Sequence, residues 1–171
     1  NEKIYLMIKK ILLTVFIFII YSYNLYAAGS SSDGGNSSKT KTNYEKAVAH
    51  IKLAKKYEKK GKTDKAKKKY QKAQKLLVLS NSKEPNKPDT LNYLGFTTRK
   101  LGDYENGEKY YLQGLALDPN HIGINEYLGE LYVATDRINL ANERLKVLES
   151  CNCKEYSELK KVIAGTKKSK Y

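Results

Sequence analysis

Apolar residues follow three regimes along the chain. Residues Ile11 to Ile20 are ten mostly apolar positions in a row, Gly29 to Asn43 contains no apolar residue at all, and from Tyr44 onward apolar and polar residues alternate with helical spacing. The first regime predicts a membrane-inserting or targeting element, the second a low-complexity linker that cannot bury a core, and the third a folded helical domain. Helix-start chemistry marks the third regime. Thr42-x-x-Glu45 reads as a capping box, Thr63, Asp103 and Asp136 as caps of later helices, and Asn152-x-x-Glu155 as the cap of a last one. That last helix, about 153–167, places Tyr156, Leu159, Val162 and Ile163 on one side. Ser80 to Lys87, with Pro85 and Pro88 close together, reads as a longer connecting loop.

Asn92 to Asn120 has helical patterning yet contains Gly95, Gly102, Gly107 and Gly114. A glycine inside a helix costs up to ~1 kcal/mol relative to alanine, so the glycines need a packing reason. A repeat supplies it. Leu94-Gly95 recurs as Leu128-Gly129, 34 residues later, and Leu53-Ala54 takes the matching place upstream once a seven-residue insertion is allowed. The second copy continues with Thr98, Gly107, Tyr111 and Pro119, the third with Tyr132, Ala141, Leu145 and Cys153, and the first with Tyr57, Ala66, Tyr70 and Val78.

These residues resemble the tetratricopeptide repeat family over about 44–153, although no copy carries the family's tryptophan and its proline survives only at Pro119. The resemblance implies an all-α, right-handed α-solenoid of three helix-turn-helix repeats, about 44–80, 88–121 and 122–153, closed by a C-terminal capping helix. An ordinary helical bundle would share the apolar periodicity; the repeated Leu-Gly pair, the tyrosines and the caps favour the solenoid. Small residues at Ala54, Gly95 and Gly129, and at Ala66, Gly107 and Ala141, are then expected where helices cross, with Gly102 in a turn.

Family members generally act as binding scaffolds whose first helices line a concave groove. Matching positions place Ile51, Lys55 and Glu58, then Asn92, Phe96 and Arg99, then Glu126, Glu130 and Val133 in that groove. The mixture suits a protein or extended peptide of mixed polarity. Glu126 and Glu130 would repel a C-terminal carboxylate, which argues against the chaperone-tail ligands of some relatives. As an i, i+4 pair on one helix without a third ligand they read as a solvated or peptide-binding face, not as an acid/base or metal site. His50 and His121 read as structural. No catalytic residue, cofactor or metal is expected, and the chain is expected not to be an enzyme.

Charge sharpens the picture. The sequence carries a formal net charge of +14, and Lys39 to Lys75 contains 15 lysines against three acidic residues. This first repeat could attract an acidic partner or hold an anionic envelope surface, the alternative to a groove-binding adaptor; the blander reading is a lysine-rich solvated face. Three arginines in all, at Arg99, Arg137 and Arg144, and no stacking platform argue against nucleic acid.

The leader starts at Met7, the expected initiator, with a basic MIKK segment before Ile11–Ile20 and small residues at Ala27 and Ala28. That plan predicts a signal peptide over residues 1–28, a disordered linker over 29–43 and a periplasmic domain over 44–171; an uncleaved anchor facing the same compartment is the alternative. Cys151 and Cys153 fit an oxidising compartment. A structural bridge that pins the last helix is the first reading, ahead of an intermolecular bridge and of a redox-active or metal-binding pair. NEYLGELY with this cysteine pair also resembles small exported bacterial members of the family.

Overall fold

Among the described residues seven α-helices follow one another with short turns: α1 (Asn43–Glu58), α2 (Thr63–Lys83), α3 (Pro88–Lys100), α4 (Tyr104–Leu117), α5 (Ile122–Ala134), α6 (Ile138–Val147) and α7 (Lys154–Ile163). A 3-10 turn, Glu149–Cys151, precedes α7. The computed structural model describes residues 41–169, all within one compact unit, Thr40–Tyr171. Met7, the leader and the linker up to residue 40 lie outside the described residues.

The helices pack as successive pairs, α1 on α2, α3 on α4 and α5 on α6, and each pair stacks on the next, with α7 laid over α5 and α6. This is an α-solenoid of helical repeats. Its first apolar cluster runs from Ala47, Ile51 and Ala54 through Tyr70 and Leu77 to Leu91, Leu94 and Phe96, and a second gathers Tyr111, Ile124, Leu128, Leu131 and Ala141. Neither cluster belongs to one repeat: the first joins residues of the first and second helix pairs, and the second joins residues of the second and third.

The close crossings account for the glycines. A β-carbon added at Gly95 would stand 2.5 Å from the Tyr111 ring, and one at Gly129 would stand 2.5 Å from Leu159 of α7. One at Gly107 would meet the Arg99 Cβ at 3.1 Å and the Gly95 carbonyl oxygen at 3.2 Å. Ala54, Ala66 and Ala141, at the corresponding places, are buried.

The turns repeat as well. Gly61 (φ 67°), Gly102 (φ 98°) and Asp136 (φ 59°) take the left-handed conformation at equivalent points between paired helices. After each, the next amide donates back to the last turn of the first helix: Lys62 to Tyr57 O, Asp103 to Thr98 O and Arg137 to Tyr132 O, at 2.9, 3.2 and 2.7 Å. That bond satisfies a carbonyl the helix would otherwise leave open.

Caps agree with the sequence in part. Thr42 and Glu45 form the reciprocal box, and Asp103 accepts from the Asn106 amide. Asp136 instead occupies the left-handed turn position, so it precedes Arg137 and does not cap α6. Thr63 is already helical, behind Lys62, and Asn152 (φ 46°) also takes the left-handed conformation, leaving Cys153 at the start of α7. The connecting loop is shorter than expected, since α2 continues to Lys83 and Pro88 then opens α3 at a position where its missing N–H costs nothing.

Candidate functional site

One face of the stack draws on the first helix of every repeat. Lys55 of α1, Phe96 of α3 and Glu126 with Tyr127 of α5 border a cleft of about 550 Å³, closed on its far side by α7 and the segment behind it. The Phe96 and Tyr127 rings lie 5.0 Å apart, and the Lys55 ammonium sits 4.5 Å above the Phe96 ring and 3.2 Å from the Tyr127 hydroxyl. A cation over a ring face is held by the ring quadrupole, so Lys55 and the aromatic pair form one rigid platform.

Arg99 and Glu130 play a different part from a groove lining. Both side chains are fully buried between α3 and α5, with guanidinium and carboxylate 3.9 Å apart. Arg99 Nη1 donates to the Tyr127 carbonyl oxygen at 2.5 Å, and the guanidinium lies 5.6 Å from the Tyr111 ring centroid. Burial pushes the Arg99 pKa down, while Tyr111 and Glu130 favour its charged form. The Tyr127 phenol is pushed up by burial and by the neighbouring Glu126 carboxylate. Arg99 therefore positions Tyr127 through the α5 backbone.

The nine residues expected in the groove thus separate. Lys55, Glu58, Phe96 and Glu126 come together at the cleft. Arg99 and Glu130 lie in the interior, and Asn92, also buried, presses on Gly123 of α5 so closely that a β-carbon there would stand 2.7 Å from its amide nitrogen. Ile51 belongs to the first apolar cluster and Val133 packs half-buried on the second. The expectation of a solvated Glu126–Glu130 face is corrected: both are buried, because α5 is covered on that side by its neighbours in the stack.

Several cleft residues lay outside the expected set. Tyr127 repeats Tyr93 at the 34-residue spacing, a signal that was there to be read. Lys59, Lys154, Glu155, Glu158 and Lys167 also border the cleft. Four of these come from α7 and its tail, and no repeat position foretells where a terminal helix will lie. Glu58, one of the expected residues, sits at the rim while accepting from the Tyr70 hydroxyl at 2.8 Å and pairing with Lys100 at 2.5 Å. Burial and that hydrogen bond raise the Tyr70 pKa.

Cys151 and Cys153 are joined as a disulfide between α6 and α7, with Cα atoms 5.1 Å apart. His121 caps α5, accepting the Ile124 amide at Nδ1, and its Nε2 lies 3.1 Å from Asp89. His50 is half-buried, its pKa held below the ordinary value by burial and by Lys69 and Lys72.

Residues 89–121 match the sequence model of the tetratricopeptide repeat. No curated protein matches the chain. Among solved structures, it is similar to the Yersinia enterocolitica type III secretion translocator chaperone SycD, at 16% identity over 79% of this chain and 91% of that one, with a TM-score of 0.50. It is also similar to the first TPR of Spaghetti (RPAP3) bound to the HSP90 peptide SRMEEVD, at 23% identity over 73% of this chain and 95% of that one, with a TM-score of 0.46. Likeness at these identities concerns the fold.

Proposed function

We propose that this chain, which matches the tetratricopeptide repeat over residues 89–121, is a non-enzymatic adaptor that holds an extended peptide or protein segment in the cleft between α1, α3, α5 and α7. The observation that carries this reading is the cleft's composition. An aromatic pair, Phe96 and Tyr127, sits among four lysines and four glutamates drawn from separate elements. The half-buried Tyr127 ring, backed by the buried Phe96, suits a small apolar contact, and interleaved charges of both signs suit the polar groups flanking it on an extended segment. The apolar leader and the joined cysteines support placing this task in an exported compartment such as the periplasm.

The test inverts the rim without changing net charge. Lys59→Glu combined with Glu155→Lys, in the full chain, is compared with the parent by cross-linking in the periplasm and identification of the captured protein. Loss of a discrete partner, with helical circular dichroism unchanged, is the expected result. Equal capture by both proteins would remove the cleft from consideration.

A further inference from the structure

The outward face of α2 carries a feature the cleft does not use. α2 buries Ala66, Tyr70, Ala73 and Leu77. At about 100° per residue, Lys65, Lys68, Lys72 and Lys75 gather on the opposite side, all exposed, with Lys69 half-buried at the edge. Leu79, 52% exposed, continues the same line one turn beyond Lys75. Asp64 is the helix's one carboxylate, at its first turn. Among the described residues no ion pair engages any of these five lysines. Tyr57 and Gln71 complete the lining of an open depression of about 340 Å³ among them.

A concentration of ammonium groups without counter-charge in the fold attracts an anionic surface from outside. The side chains discriminate among such surfaces. The stripe has no arginine for bidentate phosphate recognition, which a nucleic-acid face would favour. Lysines flanking an exposed aliphatic side chain in the same line suit a lipid interface, where charges meet headgroups and the apolar group reaches the acyl boundary. Among the described residues no helix is long and apolar enough to cross a membrane, so a contact made by this helix is peripheral.

We propose that this face of α2 docks the protein on a bilayer surface rich in anionic lipid, with the lysines over the phosphates and Leu79 at the acyl boundary. The proposal is independent of the peptide cleft, which lies on other helices.

The chain contains no tryptophan, so Leu79→Trp in the full chain installs a single reporter. With phosphatidylglycerol-containing vesicles its emission shifts to the blue and is quenched by brominated acyl chains; with phosphatidylcholine alone it does neither. Lys68→Gln/Lys72→Gln/Lys75→Gln weakens binding to the anionic vesicles by more than ~10-fold at low salt, given that each basic residue near such a surface contributes several-fold. Lys146→Gln/Lys161→Gln/Lys168→Gln, which lowers net charge equally, leaves binding within ~3-fold. Emission that stays unmoved while the chain sediments with vesicles overturns the proposal, since another part of the chain then does the binding. Equal losses in the two triple variants overturn it in favour of net charge. Capture of duplex DNA or polyglutamate without vesicle binding assigns the face to a different class of partner.

Discussion

Arg99 shows how one residue can be misplaced by a pattern and explained by packing. At its repeat position it is due to face a ligand, yet it is sealed between α3 and α5 beside Glu130, where it holds the Tyr127 carbonyl. Arg99→Glu therefore does not act as a binding variant. It puts a second carboxylate next to Glu130 in a buried site, and removing one partner of a buried pair costs about 3–5 kcal/mol, a large share of the ~5–15 kcal/mol that holds a domain folded. Urea unfolding of the variant is expected to show a much lower midpoint, and Arg99→Met/Glu130→Leu to recover most of the loss because no lone charge remains buried. An unchanged midpoint for Arg99→Glu would mean that the pair is wet in solution.

At the scale of elements, the informative contact is α7 on α5. Gly129 lies under the fully buried Leu159, with no room for a β-carbon between them. Gly129→Leu should destabilise the stack by about 1–3 kcal/mol through overpacking. Gly129→Ala combined with Leu159→Ala should be less harmful than the sum of the two single changes, since each relieves the other's misfit. Thermal unfolding of the four proteins measures this; strict additivity would show that the two sites do not touch. The disulfide lies at the entry to α7, and Leu159 with Val162 buries its apolar side, so the helix is tied covalently as well as by packing. Repeat spacing indicated that such a helix is needed. It did not indicate that its first turns, with Lys154, Glu155 and Glu158, would border the cleft.

For the whole molecule the charge asymmetry sets the response to salt. Lys39 to Lys75 holds 15 lysines and three acidic residues, so the first repeat repels itself at low ionic strength. Shortening the Debye length from about 30 Å at 0.01 M to about 8 Å at physiological salt should raise Tm. Lys65→Gln/Lys68→Gln/Lys72→Gln should flatten that rise, and a Tm equally salt-sensitive in this variant would place the repulsion elsewhere. Much of the architecture was legible in the chain by itself: the 34-residue recurrence of Leu-Gly shows in the sequence directly, and the turn glycine at Gly102 and the caps at Thr42 and Asp103 are local signals, set by backbone sterics and hydrogen bonding within a few residues. That Lys55 and Tyr127 stay partly exposed at the cleft while Phe96 and Arg99 are buried was decided only by the stack. All are first-helix positions, and their exposure depends on how far α5 and α7 close over α3, a packing outcome among segments distant in sequence.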